Sequence, residues 1–175
     1  MVSQDQVLRF PLINTLSRQI FEYNTGGVDI LMMYDSGAQI PVWCRGEALL
    51  LKAYPDAKKT DYYCEISGFG KETERCDVYV IPLFELVRDN ISFQIKNLFV
   101  ANLFKPFVGC DLLLSETMFS KTDTLTIRRG KRELQISYDN KERPFICTAI
   151  ARKMEAREIM VWSQSNEEVT DHDKL

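Results

Sequence analysis

The chain has 175 residues, of which 45% are hydrophobic and 27% are charged, and its formal net charge at pH 7 is −3. This balance is typical of a single globular domain that is long enough to bury a core of its own. An acidic chain has no general attraction for nucleic acid or for an anionic membrane surface, so we expect neither as a partner.

The sequence shows no signal for a membrane or for export. No apolar run approaches the length that spans a bilayer. The N-terminal stretch contains Asp5, Arg9 and Pro11 instead of a basic start followed by an apolar core. We therefore expect a cytoplasmic protein.

The first predicted elements are short. Residues 1–24 are expected to form an N-terminal extension with an edge strand and a short helical turn. A Gly-Gly turn then leads into a strand over residues 28–34, and a second strand is predicted over residues 39–44. A helix is predicted over residues 46–54, because leucines and alanines run up to Pro55, which cannot continue a helix.

Short strands dominate the rest of the chain. Over residues 62–136 they are separated by Gly, Asn, Asp and Pro, which predicts an all-β barrel or sandwich. One more helix is expected near residues 116–121 and a strand over 145–151, whereas residues 155–162 fit either a strand or a helix. We expect one domain over residues 1–162, followed by a polar, frayed tail over residues 163–175.

A basic cluster lies at residues 128–132, with the sequence Arg-Arg-Gly-Lys-Arg. Alternating apolar residues precede it and follow it, which favours the charged tip of a β-hairpin with Gly130 in the turn. A nucleic-acid patch is the alternative interpretation. We prefer the hairpin because of these flanking residues.

The five cysteines are predicted to be reduced and buried. Their number is odd, and they are widely spaced among apolar residues without a Cys-x-x-Cys pair; they are Cys44, Cys64, Cys76, Cys110 and Cys147. His172 is the only histidine and lies in the polar tail. No zinc site, Cys-His pair or Ser-His-Asp triad is therefore expected, and we predict neither a metal nor another cofactor.

The most informative segment is an apolar run, residues 30–34, that leads directly into Asp35. The run predicts a strand buried on both faces. A carboxyl group at the end of such a strand is partly desolvated, which disfavours its charged form and marks a functional-site candidate. Ser36 and Gly37 permit a tight turn after the acid. An ordinary Asp-Ser-Gly turn between two strands is the alternative.

Two further segments accompany this turn in a fixed order. Residues 67–70, Ser-Gly-Phe-Gly, lie between strand-like stretches over residues 62–66 and 77–83. Residues 112–119, which begin with three leucines and Ser115, follow a strand-like stretch over 92–103. Together with the Asp-Ser-Gly-Ala turn, the order and spacing of these segments over roughly a hundred residues resemble the retropepsin family of aspartic proteases.

The resemblance implies a mainly β, acid-protease-like closed barrel with one or two short helices. It also implies a role for each matching residue. The catalytic residue would be Asp35, the active-site turn would contain Ser36, Gly37 and Ala38, the substrate-binding flap would contain Ser67, Gly68, Phe69 and Gly70, and the cleft would be supported by Leu113, Leu114 and Ser115.

The chain contains one Asp-Ser-Gly turn, and the other candidate acids, Asp61, Asp77, Asp111 and Asp123, lack it. Two carboxyl groups are needed to activate water on one side of an amide and to protonate the amide on the other. A two-fold homodimer would bring Asp35 to its own copy. The sequence therefore predicts a homodimeric aspartic endopeptidase that acts on peptides or proteins.

Two alternatives belong to other classes. Ser115 stands where the family usually has Gly, and Glu116 where many retroviral members carry Arg, so one alternative is an inactive protein-interaction domain with the same fold. The other is a thiol-dependent enzyme, since Cys44 precedes Arg45 and Cys76 follows Arg75. Neighbours on a strand point to opposite faces, which makes this the weakest hypothesis.

Overall fold

The computed structural model describes residues 6–13, 19–67, 73–103, 109–120, 123–128 and 130–138, and the backbone of residues 150–152. Most of them lie in strands. The strands are β1 Gln6–Pro11, β2 Ile20–Thr25, β3 Val28–Asp35, β4 Val42–Trp43, β5 Lys58–Ile66, β6 Glu74–Arg88, β7 Ile91–Asn102, β8 Leu112–Ser115, β9 Thr124–Arg128, β10 Glu133–Tyr138 and β11 Ile150–Arg152. Helix α1 covers Glu47–Ala53, and a 3-10 turn covers Glu116–Met118.

The paired strands form two sheets. One has the order β1-β10-β9, and the other has the order β11-β5-β6-β7-β4-β8-β3-β2. The predicted mainly β fold with short helical segments is confirmed. The hairpin predicted around residues 128–132 is also confirmed, because β9 and β10 pair in antiparallel fashion and Lys131 and Arg132 are exposed at its tip.

The two sheets share one large core of apolar side chains. Leu8 and Phe10 of β1 and Leu134 and Ile136 of β10 are almost fully buried against residues of the second sheet. The second sheet contributes Phe21, Ile30, Met32, Trp43, Phe84, Phe93, Leu112 and Leu114, among others. Burial of these side chains is the main force that holds the sheets together.

A second, smaller cluster contains four cysteines, and we call it the thiol-rich core. Its members are Ile40, Val42, Cys44, Cys64, Cys76, Val78, Ala101, Leu103, Cys110 and Leu113. All four cysteines are buried, as predicted from their apolar surroundings. Cys147 lies outside the described residues.

Helix α1 lies close to its predicted position. Gly46, with φ 86°, precedes the helix, and Tyr54 follows it directly before Pro55. Leu50 and Ala53 are buried, while Glu47 and Lys52 stand at the helix ends whose partial charges they complement. The second helix, predicted over residues 116–121, is shorter in the structure and consists of one 3-10 turn.

The hairpin of β6 and β7 extends beyond the predicted strand 77–83. Pro82 interrupts the ladder, and Asn97 opposite it has a φ of 56°, but pairing resumes at Leu83. The strands are joined at Asp89 and Asn90, which both have positive φ, the conformation of a tight hairpin turn. The predicted strand ran through Pro82 to Leu83, and the strand in the structure continues to Arg88.

Other predicted boundaries differ from the structure or cannot be compared. The strand predicted over residues 39–44 is reduced to Val42–Trp43. Residues 7–23 contain β1 and the start of β2, and the intervening residues 14–18, where the helical turn was expected, lie outside the described part. The strand predicted over 145–151 overlaps β11, whereas residues 153–175 also lie outside it.

Candidate active site around Asp35

Strand β3 carries Asp35 to one end of the sheet. Its burial alternates: Ile30 and Met32 are fully buried, whereas Leu31 and Met33 on the opposite face are only partly buried. The prediction of a strand buried on both faces was therefore wrong. The large core covers one face, while the smaller thiol-rich core covers the Met33 side only in part.

The turn after β3 fixes the Asp35 carboxyl group on its own backbone. The Gly37 N–H donates to Asp35 Oδ1 at 2.9 Å, and the Ala38 N–H donates to the Asp35 carbonyl at 3.1 Å. A Cβ atom at position 37 would lie 3.4 Å from Asp35 Oδ1, which is ordinary contact. Ser36 and Gly37 are exposed, and Asp35 is half-buried. The carboxyl group is thus oriented and still open to solvent.

Strand β8 lies beside this turn in parallel register. Met33, Tyr34 and Asp35 pair with Leu113, Leu114 and Ser115, in that order. The structure therefore brings together two of the three segments singled out in the sequence. The three residues of β8 are buried, with Ser115 at 0% exposure.

A chain of hydroxyl groups connects the end of β8 to the segment after the Asp35 turn. Thr117 Oγ1 donates to the Gln39 carbonyl at 3.1 Å, and Ser115 Oγ lies 2.6 Å from Thr117 Oγ1. Because the single hydroxyl proton of Thr117 is used on Gln39, Ser115 is the donor in the second bond. This chain satisfies the buried Ser115 hydroxyl, and it ties the two segments that carry the candidate site.

Negative charge accumulates near Tyr34. Burial raises the pKa of the Tyr34 phenol most, and the carboxylates of Glu116 and Asp35 raise it further. The Tyr34 ring packs edge-on against Phe119 at a centroid distance of 5.9 Å. Glu116 and Asp35 therefore both act electrostatically on the Tyr34 phenol.

The predicted flap is described only at its base. Ser67 is exposed directly after β5, whereas Gly68, Phe69 and Gly70 lie outside the described residues. Ile66, the last residue of β5, packs against the thiol-rich core, as does Met33 of β3. The base of this hairpin and the Asp35 strand are thus supported by one apolar cluster.

Asp111 is an organising residue whose role sequence analysis missed. Its side chain is 11% exposed, and its Oδ1 lies 2.8 Å from Nε of Arg45. Its Oδ2 accepts the Leu31 N–H at 2.8 Å, while its own N–H donates to the Leu31 carbonyl at 2.8 Å. The signal available in the sequence was an acid directly before an apolar run, in the same way that Asp35 directly follows one.

Two features are absent from the part of the chain that the structure describes. Within them, no group of three or more His, Cys, Asp or Glu side chains is placed to hold a metal ion. No helix among them is long and apolar enough to cross a membrane.

Comparison with known proteins assigns no family. No protein-family model matches the chain, and no curated protein sequence matches it. A retropepsin-like aspartic protease from Rickettsia conorii has a partly similar structure, with a TM-score of 0.46 and 16% sequence identity over 78% of this chain and 94% of that one. At this identity and TM-score the match assigns neither a family nor an activity to this chain.

The geometry at Asp35 suits proton transfer. Oδ1 of Asp35 accepts the Gly37 N–H. Oδ2 accepts no hydrogen bond from the residues that the structure describes. A carboxylate of this kind can take a proton from a water molecule within hydrogen-bond reach. A second acid is needed for a complete hydrolytic site, and Asp111 has both oxygens engaged by Leu31 and Arg45.

Proposed function

We propose that the chain is one subunit of a homodimeric aspartic endopeptidase, in which Asp35 of each subunit supplies one carboxyl group. The observation that carries this proposal is the position of Asp35 at the end of β3, half-buried, with Oδ1 held by Gly37 and with Ser115 of β8 in parallel register beside it. The order of the sequence motifs, which resembles that of retropepsins, supports the same proposal.

In the proposed reaction the two carboxyl groups share one proton. Two carboxyls in close contact resist double ionisation, as is known for aspartic proteases. The ionised group removes a proton from a water molecule, which attacks the scissile carbonyl carbon. The protonated group donates its proton to the amide. Gly37 keeps the carboxyl oriented throughout, since its N–H occupies Oδ1.

The dimer supplies the second acid by symmetry. A two-fold axis beside the turn would place each Asp35 opposite its copy. Ser36 and Gly37 are exposed and small, so a second turn could approach closely. An extended peptide would pair its backbone with strand edges in the cleft, and the hairpin that follows Ser67 would close over it.

A pair of matched substitutions tests the role of Asp35. We expect wild-type protein to cleave members of a broad peptide library, and Asp35→Asn to lower the cleavage rate by at least about 100-fold, as expected for loss of a general acid or base. Asp29→Asn is the control, because Asp29 is an exposed carboxylate on the same strand and bonds only locally to Asn24. Equal cleavage by wild type and Asp35→Asn would refute the proposal.

Subunit mixing tests the shared site. If each dimer needs two Asp35 carboxyl groups, adding Asp35→Asn subunits lowers activity with the square of the wild-type fraction. Sedimentation velocity under the assay conditions should give a dimer. An active monomer, or a linear loss of activity on mixing, would contradict a site built from two chains.

An inactive interaction domain is the second candidate, and the position of Glu116 favours it. Its carboxylate raises the pKa of Tyr34 together with Asp35, so the candidate site carries additional negative charge. A domain of this kind would bind extended peptides without cleaving them. Binding of a statine-type transition-state mimic by wild type but not by Asp35→Asn would support the enzyme. Peptide binding that Asp35→Asn leaves unchanged, without cleavage, would support the interaction domain.

A further inference from the structure

Two cysteines of the thiol-rich core lie directly opposite each other on neighbouring strands. Cys64 of β5 and Cys76 of β6 are Cα partners in an antiparallel ladder, with exposures of 2% and 0%. The Cys76 thiol donates to the Glu74 carbonyl at 3.8 Å, and its sulfur interacts with the Cys64 thiol. Directly opposed residues in such a ladder have Cα atoms about 4.5–5.5 Å apart, which lies within the range that a disulfide bridges.

We propose that Cys64 and Cys76 form a reversible oxidation site, at which a hydroperoxide converts the two thiols into a cross-strand disulfide. The ladder already places the two Cβ atoms side by side, so the bond requires little movement of the backbone. This inference is independent of the proposed peptidase activity, because it concerns only the covalent state of β5 and β6.

The reaction balances with hydrogen peroxide as the oxidant. The thiolate of Cys76 attacks one peroxide oxygen, the O–O bond breaks, and Cys76 becomes a sulfenic acid while hydroxide leaves and is protonated to water. The sulfur of Cys64 then attacks the sulfenic sulfur, the S–O bond breaks, and a second water leaves. Two thiols lose two electrons and two protons, and one peroxide becomes two water molecules.

Cys76 is the better nucleophile of the pair. The hydrogen bond from the Cys64 thiol lowers the pKa of Cys76, and this effect outweighs burial and the charge of Glu74, which raise it. A lower pKa increases the fraction of thiolate, which is the reactive form. Cys64 is then the resolving thiol, already in contact with the sulfur that it must attack.

The same core contains an internal control, the pair Cys44 and Cys110. The Cys44 thiol donates to the Val42 carbonyl at 3.6 Å, and its interaction with Cys110 and its burial raise its pKa strongly. Cys44 lies opposite Asp111, the residue after Cys110, because the Cys44 N–H donates to the Asp111 carbonyl at 2.8 Å. Cys44 and Cys110 are therefore offset instead of directly opposed, and they should form a disulfide more slowly than Cys64 and Cys76.

Access to the buried pair comes from the loop end of the β5–β6 hairpin, where β5 ends at Ile66 and β6 begins at Glu74. Only two ladder pairs, Glu65 with Arg75 and Ile66 with Glu74, separate the cysteines from the end of the described ladder. Strand ends open at low free-energy cost compared with the middle of a sheet. Cys64 is also paired with Ile150 of β11, so this pair must open together with the two β5–β6 pairs to expose the thiols.

The disulfide would close a loop between Cys64 and Cys76 that includes Ser67. A closed loop restricts the conformations of both strand ends, so hydrogen exchange of the Glu65 and Arg75 amides should slow in the oxidised form. Reduction by dithiothreitol should restore the original exchange rates.

Peptide mapping tests the site on the full chain. The native protein is treated with hydrogen peroxide, its remaining thiols are alkylated after denaturation, and it is digested with trypsin. Cleavage after Lys59, Lys71, Arg75 and Arg88 puts Cys64 in peptide 60–71 and Cys76 in peptide 76–88. We expect these two peptides to be linked, with the loss of two hydrogen atoms, and to separate after reduction.

Cysteine variants and competing disulfides test the proposal. Cys64→Ala and Cys64→Ser should both abolish the linked pair and leave a sulfenic or sulfinic acid on Cys76, whereas Cys44→Ser should form the linked pair at the wild-type rate. The proposal is overturned if peptides 19–45 and 97–121, which carry Cys44 and Cys110, link as fast or faster. It is also overturned if Cys64 joins Cys147, or if native wild-type protein forms no link while urea-unfolded protein does.

Discussion

The paired segment of β3 and β8 has an aspartate near each end, and the two aspartates differ in almost every contact. At one end Asp111 is buried, and both of its carboxyl oxygens are taken by Leu31 and Arg45. At the other end Asp35 is half-buried, and the described residues give its carboxyl group one hydrogen bond, from the amide of Gly37. The same residue type thus holds the sheet together at one end and is left available for chemistry at the other.

The largest expected effect on stability is at the Asp111 end. Asp111→Ala leaves the partly buried Leu31 N–H without its acceptor and Arg45 without its partner, so we expect a loss of about 2–3 kcal/mol in the free energy of unfolding. Asp35→Ala should change it by less than about 0.5 kcal/mol, because its bond is local and exposed. Urea denaturation of both variants measures the contrast, and equal losses would show that the two acids are not distinct.

A smaller effect is expected at the hydroxyl chain beside Asp35. Thr117→Val removes the bond to the Gln39 carbonyl and leaves the buried Ser115 hydroxyl without its acceptor, at an expected cost of about 1–2 kcal/mol. Thr126→Val on β9 is the control, since Thr126 is exposed. Thermal denaturation compares the two. If the Thr117 variant is as stable as the control, the hydroxyl chain does not stabilise the site.

The ion pair between Asp111 and Arg45 should contribute less to the free energy of unfolding than the hydrogen bond from the Leu31 N–H to Asp111. Arg45 has 51% side-chain exposure, so its charge regains water when the pair is broken. We expect Arg45→Lys, which keeps the charge but loses the Nε contact, to cost less than about 1 kcal/mol. A double-mutant cycle with Asp111→Asn isolates the pair. If the coupling energy exceeded the loss of stability caused by Asp111→Ala, the ion pair would matter more than the backbone hydrogen bond.

The smallest expected effect comes from the negative charge near Tyr34, and it changes the stability of the protein at alkaline pH. The pKa of Tyr34 is raised, so the folded protein keeps the phenol proton where the unfolded chain, with an ordinary value near 10.0, loses it. The stabilisation that the Tyr34 phenol contributes is therefore fully present below pH 10.0 and is lost as the pH rises through the raised pKa. Glu116→Gln should lower the Tyr34 pKa more than Asp35→Asn does, since Glu116 is the larger charge effect.

Ultraviolet titration of tyrosinate, with Tyr34→Phe subtracted, measures this shift. If Asp35→Asn moves the Tyr34 transition more than Glu116→Gln does, the negative charge around the candidate site is distributed differently from what the structure indicates.

The two aspartates also mark what the sequence could and could not predict. Asp35, Ser36 and Gly37 are contiguous, and the hydrogen bond between them is local, so a short motif is enough to predict the turn. Asp111 depends on Leu31 and Arg45, which are remote in sequence, and Leu31 contributes through its backbone, which any residue type would supply. No sequence pattern encodes such a contact.

The strands show a similar division. The β9–β10 hairpin was predictable because alternation and a glycine turn are local signals, whereas the last five residues of β6, Phe84 to Arg88, were not predicted. The opposition of Cys64 and Cys76 was equally hidden, since it depends on the register of β5 against β6, which the cysteine spacing alone does not define.

The parallel pairing of β3 with β8 has a consequence for the order in which the molecule folds. Eighty positions of chain separate Leu31 from Asp111, and the intervening segment contains the β5–β6–β7 ladder. Contacts between such distant segments form slowly, because a large loss of chain entropy precedes them, while the hairpin of β6 and β7 can close early. The Asp35 turn therefore reaches its final neighbours late on the folding pathway, and a partially folded chain lacks the arrangement on which any activity at this position depends.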